Sequence, residues 1–183
     1  KILMVINLKN LLIGINAKYI HTNLAIRLLK KNTTYPCDII EFNIKDSKEK
    51  IIDYIKDGNY DTVGFSCYIW NITLVKEVIK EIRNLPYKII LGGPEVSYNA
   101  SYYLNNNLAD YVIKNEGEES YHHLLEYLDN KRPIESVPNL YHKNGFTFDK
   151  LVDLEKVKMA YDLIDDYQSR IIYVETSRGC PYK

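Results

Sequence analysis

Residues 61–94 decide the fold, and they read DTVGFSCYIWNITLVKEVIKEIRNLPYKIILGGP. The stretch opens with one short, mainly apolar run, 61–66, and closes with another, 88–91. Between them, apolar residues recur at the three-and-four spacing of a buried helix face. These residues are Leu74, Val75, Val78, Ile79 and Ile82. A strand, a helix and a second strand in this order predict two parallel strands joined by a crossover helix.

The same alternation continues on both sides of this unit. The predicted strands cover residues 2–6, 37–42, 61–66, 88–91 and 110–113. The predicted helices begin near Ile20, after the capping residue Ser47, before Leu74, near Ser97 and before Tyr121. The segment that follows residue 7 contains Asn and Gly and is predicted to be a loop. Together these elements predict an α/β domain with a five-stranded parallel sheet and helices on both faces.

The pattern changes after Asn130. Residues 139–142 and 147–148 flank the turn signal Asn144-Gly145 and predict a β-hairpin in a short C-terminal extension. Residues 171–174 predict one more strand. We therefore divide the chain into a main domain, a linker with the hairpin, and the start of a further domain. These parts span residues 1–130, 131–169 and 170–183.

Composition excludes several classes of partner. The 183 residues carry 24 Lys and Arg against 24 Asp and Glu, so no large field attracts nucleic acid or an anionic membrane. The apolar runs are strand-sized, and the N-terminal one lacks the length and cleavage site of a signal peptide. Three widely spaced cysteines do not suit a disulfide framework. We therefore predict a cytoplasmic protein with reduced thiols.

Ligands of an open parallel sheet bind beyond the carboxyl ends of its strands. The loops predicted there are rich in Gly, Ser, Asn, Glu and aromatic residues, which suits a large ligand with amides and a flat apolar surface. The chain has no G-x-G-x-x-G after the first predicted strand and no G-x-x-x-x-G-K-[ST]. Phe65-Ser66 stands where a phospho-acceptor sheet would have Asp. Dinucleotides, nucleoside triphosphates and receiver phosphorylation are therefore disfavoured.

Four ordered stretches point to a family. They are NAKYIHTNLA at 16–25, VGFSCYIWN at 63–71, LGGPE at 91–95 and NEGEE at 115–119. Together they resemble the cobalamin-binding domain of cobalamin-dependent radical S-adenosylmethionine proteins, in particular those labelled magnesium-protoporphyrin IX monomethyl ester oxidative cyclases. The resemblance implies a Rossmann-like domain with the corrinoid across the strand ends and its nucleotide tail beside the sheet.

The resemblance also implies roles for single residues. Ser66 resembles the serine that hydrogen-bonds the dimethylbenzimidazole tail, and Gly92 and Gly93 match a pair whose missing side chains admit that tail. Gly117 matches the turn where backbone amides at a helix start meet polar groups of the ligand. The complete set of implied cofactor-binding residues is Lys18, Tyr19, His21, Ser66, Cys67, Tyr68, Gly92, Gly93, Pro94, Glu116 and Gly117.

His21 is a candidate cobalt ligand, but its surroundings depart from the family pattern. Corrinoid domains with a protein ligand use D-x-H-x-x-G, whereas residues 19–24 read YIHTNL and lack both the Asp and the Gly. That Asp would fix the tautomer and the orientation of the histidine ring, so its absence weighs against cobalt ligation by His21. The alternatives for His21 are local capping or packing at a helix start, and a cobalt with no protein ligand below.

Cys180 resembles the first cysteine of C-x-x-x-C-x-x-C, which holds a [4Fe–4S] cluster beside S-adenosylmethionine in radical enzymes. The resemblance implies an oxidoreductase or methyl-transfer enzyme whose catalytic barrel follows this domain. One thiolate cannot hold a cluster, so this stretch alone is not expected to be catalytic.

Two other hypotheses stay open. The domain could have lost cobalamin and act as a docking or regulatory module, or it could be a flavodoxin-like domain that binds another cofactor.

Overall fold

The computed structural model describes residues 8–164 and 169–178. It contains one mixed β-sheet with the strand order β2-β1-β3-β4-β5-β6-β7. Strands β1 to β5 pair in parallel, whereas β6 and β7 are antiparallel to their neighbours. The strands are β1 (Asn10–Asn16), β2 (Cys37–Asn43), β3 (Thr62–Ser66), β4 (Lys88–Gly92), β5 (Tyr111–Ile113), β6 (Leu140–His142) and β7 (Gly145–Phe146).

Helices connect the parallel strands. They are α1 (Leu24–Lys31), α2 (Lys48–Asp57), α3 (Ile72–Ile82), α4 (Pro94–Ser97), α5 (Ala100–Asn105) and α6 (Glu118–Leu128). Ser47 caps α2 as predicted, because its hydroxyl accepts the backbone N–H of Lys50. The α/β class and the predicted crossover unit of residues 61–94 are therefore confirmed.

The sheet separates two hydrophobic cores. One core packs α2, α3 and α5 against strand residues such as Leu11, Val63 and Ile89. The other packs α1 and α6 against Leu12 and Ile90. Successive residues of a strand point to opposite faces, so neighbours in the sequence supply different cores.

The first described strand differs from the prediction. Residues 2–6 lie outside the described residues, and β1 occupies Asn10–Asn16, where a loop was predicted. Every residue of β1 is buried, because it lies between β2 and β3 and both of its faces are covered. A strand buried on both faces lacks the alternation of polar and apolar residues that marks a half-exposed strand. The Asn residues at its ends and Gly14 are also residue types that are common in loops.

Two predictions for the C-terminal part of the chain were wrong. Over residues 8–164 and 169–178 the sheet has seven strands rather than five, since β6 pairs with β5 and β7 pairs with β6. Residues 171–174 form no strand, and Ile171 makes one isolated parallel bridge to His21. Among the described helices, none is both long and apolar enough to cross a membrane.

Candidate functional site

A cavity of about 730 Å³ opens at the carboxyl edge of the sheet. It extends between the sheet and helices α1 and α6, and its lining includes Leu12, Leu24 and Tyr121. Its volume lies within the roughly 300–1,000 Å³ that is typical of small-molecule and cofactor sites. Burial raises the pKa of Tyr121 well above its ordinary value, so the phenol stays neutral at this apolar wall.

A row of small residues explains why this space exists. The strand registers align Glu41, Gly14, Ser66, Gly92 and Ile113 across β2, β1, β3, β4 and β5. Residues paired in register on parallel strands point to the same face of a sheet. The middle of the row therefore carries a hydrogen, a hydroxymethyl group and a hydrogen. Room remains above Ser66 and Gly92, which line the cavity, whereas the Asn23 side chain fills the space above Gly14.

Gly92, Gly93 and Gly117 form one side of the cavity, which we call the glycine wall. A Cβ atom at Gly92 would meet no atom closer than the Ile113 carbonyl oxygen at 3.8 Å, so it would point into free space. At Gly93 the backbone requires glycine, because φ is 109° and a Cβ would lie 2.5 Å from the Cys67 carbonyl oxygen. Gly92 thus keeps space free, whereas Gly93 shapes the turn into α4.

Asn23, Arg27, Glu41 and Ser66 form a hydrogen-bonded cluster, which we call the polar wall. Of these four residues Ser66 lines the cavity, beside Gly92 on the neighbouring strand, and the other three lie behind it. The Asn23 side-chain amide donates to Ser66 Oγ at 2.7 Å, and the Asn23 backbone N–H donates to Glu41. Arg27 donates to both oxygens of the Glu41 carboxylate, at 2.8 and 3.2 Å. Arg170 adds a further hydrogen bond to the same carboxylate. A continuous network therefore connects β2, α1, β3 and the C-terminal part of the chain.

The electrostatics of the polar wall keep Glu41 ionised. Burial by itself would raise the pKa of Glu41, but hydrogen bonds from Arg27 and from the Asn23 backbone outweigh it. The charges of Arg27 and Arg170 act in the same direction, and the pKa lies below its ordinary value. Arg27 and Glu41 are about nine-tenths buried, so this pair is well shielded from solvent.

The cavity brings together most of the residues implied by the family resemblance. Among the eleven predicted cofactor-binding residues, those that line it are Ser66, Tyr68, Gly92, Gly93, Pro94, Glu116 and Gly117. Tyr68 also stacks on Trp70, with ring centroids 4.4 Å apart and planes 6° from parallel. The indole N–H of Trp70 donates to the Ile15 carbonyl at 3.3 Å, which holds this aromatic pair against β1.

The other predicted residues lie outside the lining. Lys18 and Tyr19 are exposed in the loop between β1 and α1, where the Arg170 guanidinium lies 4.7 Å from the Tyr19 ring centroid. Cys67 is fully buried in the core on the other face of the sheet, and burial raises the pKa of its thiol. Cys180 lies outside the described residues. Ligand contacts by Lys18, Tyr19 and Cys67 stay predictions.

His21 also lies outside the lining, and its ring has a partner within the chain. Its Nδ1 atom is 2.5 Å from the Tyr173 hydroxyl, and the two rings stack with centroids 5.9 Å apart. The His21 carbonyl accepts the side-chain amide of Asn16 at 2.8 Å. Cobalt ligation by His21 stays a prediction, and these contacts would compete with it.

Residues 169–178, which we call the C-terminal segment, run along the mouth of the cavity. Ile171 donates its N–H to the Ile20 carbonyl at 2.6 Å, and Thr22 donates its hydroxyl to the Ile171 carbonyl at 3.0 Å. Further along, Arg178 forms a 2.6 Å ion pair with Glu118 at the start of α6. Residues 173–178 belong to the cavity lining, so the segment covers part of the opening.

Several residues of the site were missed by the sequence reasoning. Asn23 and Glu41 lie in a predicted helix start and a predicted strand, and neither carries a motif of its own. Gly14 and Gly64 could have been recognised by counting every second residue along adjacent strands, had β1 been placed correctly. The C-terminal segment carries no local signal, because its position depends on contacts across the fold.

Solved structures with a similar fold contain cobalamin. The chain aligns with the cobalamin-dependent S-adenosylmethionine radical enzyme OxsB with aqua-cobalamin and S-adenosylmethionine bound, at TM-score 0.72 and 17% identity, covering 87% of this chain and 25% of that one. It aligns with the radical S-adenosylmethionine methyltransferase TsrM from Kitasatospora setae, with cobalamin and a [4Fe-4S] cluster bound, at TM-score 0.62 and 17% identity, covering 82% and 30%.

A third similar structure is a novel cobalamin-binding protein from Desulfitobacterium hafniense DCB-2, with TM-score 0.50 and 16% identity, covering 66% of this chain and 58% of that one. At such identities these likenesses show the fold. The chain spans 25–30% of the length of the two enzymes. No curated protein sequence matches it.

The family assignment comes from the sequence itself. The family model described as B12 binding domain matches residues 10–125, which is more than half of the 183-residue chain. The matched range contains the glycine wall, the polar wall and strands β1 to β5. This chain therefore belongs to the B12 binding domain family.

Proposed function

We propose that this domain holds the nucleotide tail of cobalamin in the cavity, against Ser66 and the glycine wall, and so presents the corrin ring beyond the strand ends. Ser66 would hydrogen-bond the benzimidazole, and Gly92 would leave room for it. The observation that carries this proposal is the pair of small residues Ser66 and Gly92 on one face of the sheet, since they leave space in the cavity where a flat, bulky group can lie against the sheet.

The residues present fit such a group. Dimethylbenzimidazole is flat and largely apolar with one free ring nitrogen, so it needs an apolar slot with a hydrogen-bond donor. The cavity supplies apolar side chains of α1, the bare backbone at Gly92 and the hydroxyl of Ser66. Tyr68 and Trp70 lie at the end of β3, near where the corrin ring would rest.

The proposal extends to a larger protein. A bound corrinoid would supply cobalt chemistry such as methyl transfer or a radical reaction. In this proposal, residues 170–183 begin a radical S-adenosylmethionine barrel, and Cys180 is the first ligand of its [4Fe–4S] cluster. The finer hypothesis of a magnesium-protoporphyrin IX monomethyl ester oxidative cyclase-like protein rests on the four sequence stretches. A cytoplasmic location is part of the proposal and suits the free, buried thiols of Cys37 and Cys67.

Binding of hydroxocobalamin tests the function. The chain is purified without oxygen, incubated with hydroxocobalamin and passed through a desalting column, and its absorption spectrum is recorded. We expect a retained corrin band at about one equivalent. Gly92→Leu should abolish retention, because its side chain would fill the slot while its Cβ atom meets no close neighbour.

A matched control tests whether the loss of binding comes from filling the slot or only from placing a leucine in β4. Lys88→Leu places the same side chain at the exposed opposite end of β4 and should retain the corrin band. If the unmodified chain retains no corrinoid at high concentration, the docking-module alternative gains support. A yellow flavin spectrum in the purified protein would instead support the flavodoxin-like alternative.

A further inference from the structure

We infer that Asn23 is a positioning residue that sets the direction of the Ser66 hydroxyl, so that this serine donates its proton to the ligand. This inference rests on the proposed function, because it specifies how the serine would recognise the nucleotide tail. It predicts a slot that prefers a tail with a bare acceptor nitrogen.

The orientation of the Asn23 side chain follows from its role as a helix cap. Its Oδ1 atom accepts the backbone N–H of Ile26 at 3.2 Å, as expected for the N-cap of α1. An amide has one oxygen and one nitrogen at its end, so the nitrogen must face the other way. That nitrogen is Nδ2, which lies 2.7 Å from Ser66 Oγ.

The hydrogen-bond direction at Ser66 follows in turn. An amide nitrogen can donate but cannot accept, so the Ser66 oxygen accepts and its own O–H must find a different acceptor. The structure gives no protein acceptor for this hydroxyl among the described residues, and Ser66 lines the cavity. The hydroxyl is therefore free to donate to an acceptor on the ligand.

Gly14 makes this arrangement possible. It lies between Glu41 and Ser66 in the register row, and a Cβ atom there would come within 2.8–2.9 Å of the Asn23 side chain. Asn23 thus occupies the space above Gly14, with its backbone N–H on Glu41 and its side chain on Ser66. The position of Asn23 is set by three neighbouring strands.

Two substitutions test the inference by different routes. Asn23→Asp keeps an N-cap oxygen but replaces the donor with an acceptor, so the Ser66 hydroxyl would turn towards the carboxylate and away from the ligand. Gly14→Ala keeps Asn23 but places a Cβ atom 2.8 Å from its Nδ2 atom, so the side chain must move from the position in which it bonds Ser66. At pH 8, we expect each variant to bind hydroxocobalamin about tenfold more weakly, which is typical of one lost hydrogen bond.

Two readouts distinguish this effect from general damage. Cobinamide lacks the nucleotide tail, so its affinity should change less than twofold in both variants. In a Ser66→Ala background, Asn23→Asp should cause no further loss of cobalamin affinity, because the hydroxyl that it redirects is gone. This second comparison also decides the question if cobinamide binds too weakly to measure.

The outcomes separate the inference from the proposed function. Unchanged cobalamin affinity in Asn23→Asp, or full additivity with Ser66→Ala, would overturn the role of Asn23 while cobalamin binding stands. Failure of the unmodified chain to bind cobalamin would overturn both. Melting temperatures of both variants within a few degrees of the parent would show that the domain remains folded.

Discussion

The glycine wall and the polar wall differ in how they are built. In the glycine wall, Gly92 leaves space and Gly93 allows a backbone conformation that is strained in other residues. In the polar wall, Asn23, Arg27 and Glu41 satisfy one another through buried hydrogen bonds, and Ser66 is the residue of this group that lines the cavity. The glycine wall therefore contributes shape to the cavity, and the polar wall contributes the orientation of one hydroxyl.

The two walls should therefore respond differently to substitution. In the glycine wall, a larger side chain at Gly92 should fill space in the cavity, whereas one at Gly93 should lower the stability of the fold. Removing one group from the polar wall leaves buried partners unpaired, and the cost then depends on pH.

The largest effect is expected within the glycine wall itself. Gly93→Ala combines a positive φ with a Cβ atom 2.5 Å from a backbone oxygen, so the turn must shift. We expect it to lower the free energy of unfolding by about 4 kcal/mol, measured by urea denaturation. Gly92→Ala is the matched control and should change that free energy by less than about 1 kcal/mol. Equal costs at the two positions would remove the distinction between them.

A smaller effect is expected in the polar wall. Glu41→Gln should lower the free energy of unfolding by about 2 kcal/mol at pH 7, because Arg27 and Arg170 lose their shared carboxylate. Since folding lowers the pKa of Glu41, its contribution is present above the ordinary value of 4.5 and is lost as pH falls through the folded-state pKa. The gap between variant and parent should therefore shrink below about pH 4.5.

Urea denaturation from pH 7 to pH 3 measures this dependence. Glu77→Gln, an exposed substitution on α3, serves as the control and should follow the parent at every pH. A gap for Glu41→Gln that stays constant with pH would show that the carboxylate's charge is unimportant to the polar wall.

The smallest effect is expected outside both walls. His21 does not line the cavity, and His21→Ala removes its contact with Tyr173, which does. We expect cobalamin affinity to change by less than about twofold. Even the loss of an outer-shell partner of a metal ligand costs about 10–100-fold, so the loss of a cobalt ligand would be easily detected. Titration with hydroxocobalamin, followed by absorption, makes the measurement. We expect the absorption spectrum of the bound corrinoid to be the same in the variant and the parent. A shifted absorption band would instead indicate that His21 is a cobalt ligand.

The sequence predicted the site better where motifs are local. Ser66 and Gly92 end β3 and β4, and Gly117 lies in the loop after β5; these strands were placed correctly, and all three residues line the cavity. Lys18 and Tyr19 were implied by the family resemblance and lie outside the cavity lining, and their ligand contacts stay predictions.

By itself, the sequence determined the alternation of strands and helices, the parallel order of the crossover units and the small residues at the strand ends. These follow from side-chain periodicity and turn chemistry, which act over a few residues. Tertiary structure alone decided that Glu41, Gly14, Ser66 and Gly92 form one row, and that Asn23 bridges two of them. Register between strands depends on packing across the whole sheet, and a one-residue shift would turn each of these groups to the other face.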